Sequence, residues 1–254
     1  MAIFERMLSR CNFLVNYFFT GGIVKMIDTI LVVQGQELKS VKRGLSCSLS
    51  VPPKLLPLPI GLTSVSRHLH QWQKKEDFCS QQPSNILVMG LCGSLSSQYM
   101  PGDIVIYDEC VLLDKSQLLR QKCNGVLTNK LQTNLPKKAF LVRGLTSDHL
   151  IYKAEEKQLL GKNTGAAVVD MEGFAILNFC AKLSISVAMV RVISDDCHHD
   201  IPDLSSAIAS SGNLRSLPLA IAMFRQPIAA WQLIRGASKG LQVLQQVTSC
   251  LFTD

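Results

Sequence analysis

The stretch that most constrains this chain is residues 167–196, AVVDMEGFAILNFCAKLSISVAMVRVISDD. Two apolar runs, 166–169 and 187–193, have the composition and length of β-strands. Between them, residues 173–183 carry Phe174, Ile176, Leu177, Phe179 and Cys180, which suits a buried helix. Each run ends in acid: Asp170 and Glu172 on either side of Met171 after the first, Asp195 and Asp196 behind Ser194 after the second. A strand–helix–strand unit with carboxylates at its strand ends predicts an α/β sheet, and in open α/β sheets ligands bind at that edge. The same residue types also cap helices and face solvent at strand ends, and spacing alone leaves both readings open.

Composition narrows the class. A chain of 254 residues with 47% hydrophobic and 18% charged side chains is globular and long enough for a sizeable core. The net charge of +7 points to nucleic acid or to an anionic surface. No nucleic-acid-binding motif stands in the sequence and aromatics are only 6%, which weighs against nucleic acid. Nine cysteines without a CxxC pair argue for reduced thiols in a cytoplasmic protein, and against a disulfide framework or a zinc site.

Residues 1–25 are rich in Phe, Leu, Val and Tyr behind Arg6 and Arg10, and are too short an apolar run to span a bilayer. Met26 stands directly before the first convincing strand, 27–33, so 1–25 is read as an N-terminal extension and 26–254 as the domain. The strand's exit turn, 34–37, ends in Glu37. A Pro-punctuated strand at 55–60 meets Gly61 and a helical stretch, 63–75. A strand, a glycine turn and a helix start can aim backbone N–H groups at an anion or a sugar oxygen. Residues 85–93, NILVMGLCG, read as a buried strand running into a glycine-rich turn at 90–93, followed by Pro101-Gly102-Asp103 and a strand at 104–107. A further strand, 139–145, leads into Thr146-Ser147-Asp148-His149-Leu150-Ile151.

VVDMEGFAI followed by VRVISD, together with the strand–GxxG–PGD–strand arrangement, resembles the purine nucleoside phosphorylase/uridine phosphorylase superfamily, and within it the methylthioadenosine/S-adenosylhomocysteine nucleosidases. The segment ISDD…HDIPDL resembles the branch of that superfamily associated with hopanoid synthesis. The resemblance implies a single α/β domain with a central mixed β-sheet flanked by helices, and a homo-oligomer. It implies cleavage of the N-glycosidic bond of a purine, adenosine-type nucleoside, including a lipid-linked one. Asp195 would protonate the leaving base at N7, its proton held by burial, and Glu37 would activate water on the opposite face of the sugar. Glu172 would accept hydrogen bonds from the ribose hydroxyls. Met171, Ser194, Leu150, Ile151, Gly61, Cys92 and Gly93 would line the substrate, and Arg191 would hold the acidic cluster together. No cofactor and no metal are implied.

Phosphorylases of the family carry an Arg before the glycine-rich turn and a Ser or Thr within it. The matching positions here are Val88 and Leu91, which favours water over phosphate as the nucleophile. Phosphorolysis by the same fold, and a non-catalytic nucleoside-binding relative, stay as alternatives. His198, His199, Asp200 and Asp203 invite a metal reading, but adjacent histidines rarely ligate one ion. The tail, 205–247, reads as helices broken at Gly212, Pro218, Pro227, Gly236 and Gly240. Its apolar residues interleaved with Arg215, Arg225, Arg235 and Lys239 suit either a helix covering the sheet or a basic surface helix that contacts a membrane.

Overall fold

The Thr-Ile-Leu-Val-Val run at Thr29–Val33 is buried along its whole length, as a strand is when other elements cover both faces of its sheet. The computed structural model describes residues 26–45, 52–115, 117–135, 139–209 and 211–252; the extension read at 1–25 lies outside them. In chain order the elements are β1 (Thr29–Val33), α1 (Gln36–Leu45), β2 (Lys54–Leu58), α2 (Leu62–Gln73), α3 (Glu76–Ser80), β3 (Asn85–Ser94), β4 (Ile104–Asp114), β5 (Gln117–Lys122), α4 (Gly125–Asn134) and β6 (Ala139–Thr146). There follow α5 (Ala154–Thr164), β7 (Val168–Asp170), α6 (Gly173–Lys182), β8 (Ser186–Asp195), a 3₁₀ turn (Ser205–Ala207), α7 (Ser216–Arg225) and α8 (Pro227–Phe252).

The strands form one mixed sheet. β1 runs parallel to β2 and β3, β3 parallel to β8, and β8 antiparallel to β4. β4 runs parallel to β6, β6 parallel to β7, and β7 antiparallel to the end of β3, so five strands close on themselves. The alternation of side chains along each strand feeds two apolar layers. Leu31, Val88, Val105 and Met189 pack with α2 and α6 on one face. Ile30, Leu87, Met89 and Val190 pack with α1, α4 and α8 on the other. The fold is the single α/β domain with a helix-flanked mixed sheet expected from the sequence.

Three local readings need correction. Residues 90–93 are not a turn: β3 continues to Ser94, because β8 keeps pairing with it from Gly90↔Arg191 to Gly93↔Asp195, with one irregularity after Cys92. Pro218, Gly236 and Gly240 do not break the tail: Pro218 sits in the first turn of α7, where its missing N–H costs no helical bond, and α8 runs through both glycines. A side chain at Gly236 would strike the Ser194 carbonyl, and one at Gly240 would meet Leu91 and the Ile193 carbonyl, so glycine lets the helix lie on the end of β8. The strand at 104–107 extends to Asp114 and forms a hairpin with β5, a pairing that Leu112 and Leu113 opposite Leu119 and Leu118 support. Among the described residues no helix is long and apolar enough to cross a membrane.

Candidate active site

The ends of β7, β3 and β8 lie side by side. Gly93 of β3 is registered with Val169 of β7 on one edge and with Asp195 of β8 on the other. Two clusters of charge stand here.

The first is built on Arg191, a β8 residue only 1% exposed. A guanidinium so far from water needs acidic partners. Its Nη2 lies 3.1 Å from Asp170 Oδ2 and 4.0 Å from Glu172 Oε2. Asp170 is further tied by the Thr146 hydroxyl at 2.8 Å and the Gly173 N–H at 3.0 Å. Glu172 precedes α6, and its Oε1 accepts the Gly61 N–H at 2.9 Å across the mouth of the sheet. Gly61 holds φ at +94°, a backbone that glycine adopts freely.

Glu37 joins this cluster from the first turn of α1. Along one edge of β3 the pairing passes from β1, which stops at Met89, to β7, which starts at Gly93. In that gap the Leu91 N–H donates to Glu37 Oε2 at 3.0 Å. A Cβ at Gly90 would fall on the Glu37 carboxylate and the Arg191 guanidinium, so glycine is what admits both. Burial pushes the Glu37 and Glu172 carboxyls up to about 7; Arg191 opposes that rise in both and Asp170 adds to it.

The second cluster is Asp195 with Lys157. Lys157 lies on α5 and is fully buried, its Nζ 2.5 Å from Asp195 Oδ2 and 2.9 Å from the Asp196 carbonyl oxygen. Ser194 Oγ lies 2.6 Å from Asp195 Oδ1 and 3.1 Å from the Cys92 carbonyl. Asp195 Oδ2 thus faces Lys157 Nζ, while Oδ1 and the Cys92 carbonyl share the single hydrogen of the Ser194 hydroxyl. Asp195 Oδ2 also occupies the space over Gly93, 2.8 Å from where a Cβ would be.

The phosphorylase superfamily model matches residues 60–215, more than half of the chain, and this span takes in Gly61, β3, Lys157, Glu172 and Asp195. The chain belongs to the phosphorylase superfamily. Solved structures share its fold at low identity. Futalosine hydrolase of Helicobacter pylori aligns with a TM-score of 0.63 at 13% identity, over 89% of this chain and 98% of its own. A putative methylthioadenosine/S-adenosylhomocysteine nucleosidase of Borrelia burgdorferi, bound to adenine, aligns with a TM-score of 0.64 at 15% identity, over 88% of this chain and 98% of its own. The corresponding nucleosidase of Helicobacter pylori, in complex with a pyrrolidine-based ligand, gives 0.61 at 13%, over 87% and 96%. No curated protein matches the chain in sequence.

On this phosphorylase-superfamily scaffold the residues singled out from sequence divide into two groups. Glu37, Glu172, Gly61, Ser194 and Asp195 contribute atoms to the two clusters, Gly93 leaves the space that Asp195 fills, and the Met171 methyl lies 3.9 Å from the Cβ position over Gly61. Cys92 contributes its carbonyl, while its side chain is buried in the core. Leu150 is half-buried, and Ile151 packs into a small core with Leu95, Val111, Leu145, Ala166 and Val169. His149 is exposed between Asp148 and Glu156, and these partners raise its proton affinity. His198 and His199 donate their backbone N–H groups to Asp196, and Asp200 caps α5 through the Ala154 N–H. Among the described residues no three His, Cys, Asp or Glu side chains converge as an ion site.

Lys157 is the main residue that sequence reasoning missed. In AEEKQLL it has acidic neighbours and the look of a solvent-facing helical lysine. Asp170 was within the quoted motif, yet its partners, Thr146 and Arg191, come from distant strands.

Proposed function

We propose that the protein hydrolyses the N-glycosidic bond of a purine nucleoside, releasing the base. The observation that carries this reading is the charge around the site. Four carboxyls, Glu37, Asp170, Glu172 and Asp195, stand with two cations, Arg191 and Lys157, and both cations are buried against those acids. A phosphate dianion needs uncommitted donors. The Gly61 N–H is taken by Glu172, and Val88 and Met89 are core residues. A neutral water suits a carboxyl that exchanges its proton near neutrality, as Glu37 does at about 7.

In this reading Glu37 accepts a proton from water as the oxygen attacks the anomeric carbon. The carbon–nitrogen bond breaks, its electron pair goes to the purine, and Asp195 gives a proton to N7. Glu172 accepts hydrogen bonds from the ribose hydroxyls, and its charge stabilises the cationic sugar of the transition state. Lys157 Nζ on Oδ2 and the Ser194 hydroxyl beside Oδ1 hold the Asp195 carboxyl in place for the transfer to N7. The division of work between an acid behind the leaving group and a base on the water is that of inverting glycosidases. A homo-oligomer acting in the cytoplasm is part of the same reading, and a solution mass tests the first half of it.

The deciding experiment is to incubate the protein with adenosine, inosine, methylthioadenosine, adenosylhomocysteine, a lipid-linked adenosine and uridine, with and without phosphate. The expected result is free purine and free sugar at a rate insensitive to phosphate, and no release from uridine. Sugar 1-phosphate formed in proportion to added phosphate overturns hydrolysis in favour of phosphorolysis. Binding of nucleosides without release of base leaves the non-catalytic reading in its place.

A further inference from the structure

Residues 204–252 contain no Asp or Glu, and their charged side chains are Arg215, Arg225, Arg235 and Lys239. Within this segment α7 has no buried residue. Its Leu217, Ile221 and Phe224 recur at the spacing of one helix face and are 72%, 44% and 86% exposed. Gln226 alone separates α7 from α8, where Ile228 and Trp231 continue the exposed apolar surface. The Arg235 guanidinium lies over the Trp231 ring, 5.4 Å from its centre.

A helix in a folded domain normally turns its apolar stripe inward. Here the inward face of this part of α8 is made of Ala230, Gly236 and Gly240, small residues that bring its backbone onto β8. The large apolar side chains are therefore left on the outside. A cavity of about 860 Å³ opens under α7, lined by Leu217, Ile221, Arg215 and Arg225, with Asp203 as its one acid. The loop before α7 is tied to the site's edge: the Gly212 carbonyl accepts the N–H of Ile60, the neighbour of Gly61.

We propose that α7 and the first turns of α8 dock on the surface of an anionic lipid bilayer. The apolar side chains would enter the boundary between headgroups and acyl chains, and the arginines would meet the phosphates. Charge complementarity selects this partner. A second copy of the chain, related by a two-fold axis, would set two faces of net positive charge against each other, with Asp203 as the one acid on each. An anionic bilayer offers apolar depth and negative charge together. This inference is independent of the nucleosidase reading, because its test involves no substrate.

The test is flotation of the full chain with vesicles of phosphatidylcholine containing one-third phosphatidylglycerol, compared with phosphatidylcholine alone. Binding to the first and not the second is expected, and it should weaken with added salt. Each exposed arginine replaced by glutamine should weaken binding about fivefold, so R215Q/R225Q/R235Q together should lose on the order of a hundredfold. Phe224→Ser with Trp231→Ser tests the apolar part and should also release the protein. These side chains are exposed, and unchanged circular dichroism checks that the fold is kept. Equal binding to both vesicles, or binding untouched by the triple variant, overturns the proposal. So does a wild-type protein that ignores both vesicles, and if its solution mass then halves in the Phe224/Trp231 variant, the face belongs to a second copy.

Discussion

The Arg191 cluster and the Lys157–Asp195 pair lie on the same strand, β8, but they balance charge differently. Around Arg191, three carboxyls share one guanidinium, and burial leaves Glu37 and Glu172 holding protons up to about pH 7. At Asp195, a single carboxyl has a whole ammonium on one oxygen and a hydroxyl on the other. In the first arrangement burial outweighs the single guanidinium, so protons move on and off it near neutrality. The second is a one-to-one pair, in which Lys157 and Ser194 fix the orientation of a single carboxyl. Placing both against β3 sets the two groups of carboxyls side by side at one strand end.

The largest effect should come from breaking the second cluster at its acid. Asp195→Asn keeps the shape and removes the transferable proton, and turnover should fall about a hundredfold to ten-thousandfold with nucleoside binding retained. Single-turnover base release and ligand titration measure the two separately. Full activity in this variant means that the acid is another group.

Next in size is Glu37→Gln, for which about a hundredfold loss of kcat/KM is expected. In the wild type, kcat/KM should rise with pH through about 7 as both Glu37 and Glu172 ionise, with a slope greater than one proton. The variant should keep a one-proton rise from Glu172. Stability should move the other way. A carboxyl raised from 4.5 to about 7 by folding is still protonated in the native state when the unfolded chain has lost its proton. Its contribution is fully present below about pH 4.5 and is lost as pH rises to 7, so Glu37→Gln should flatten that decline in denaturant midpoints. A midpoint profile identical in both proteins would show that Glu37 does not hold its proton.

The smallest effect tests the difference between the clusters directly. Lys157→Arg preserves the charge facing Asp195 but replaces a compact ammonium with a larger planar fork that displaces the carboxyl, so a loss of about tenfold in kcat, or about 1.4 kcal/mol of barrier, is expected with nucleoside binding kept. Unchanged kcat with Arg would show that Lys157 does not position Asp195.

Much of the fold was legible because its signals are local. Val187–Ile193 and Thr29–Val33 are continuous apolar runs of strand length, and Gly173–Lys182 has the packing residues of a buried helix. The α4 and α5 segments were not legible, because their apolar residues are few and lie among polar ones. Lys157, in α5, shares that defect: nothing in a helical run of acids, lysine and leucine says that one lysine is fully buried.

By itself the sequence determined the acids at the strand ends, the apolar runs behind them, and the basic, acid-free tail. These are properties of neighbouring residues, and periodicity reports them. Only the tertiary structure decided which cation each acid meets. Arg191 reaches Asp170 because β3, between β7 and β8, has no side chain at Gly90 to block it. Lys157 reaches Asp195 because α5 packs against the end of β8, 38 residues away in the chain. Ion pairing in a protein interior depends on distance and on exclusion of water, and both are set by packing between elements that are remote in sequence.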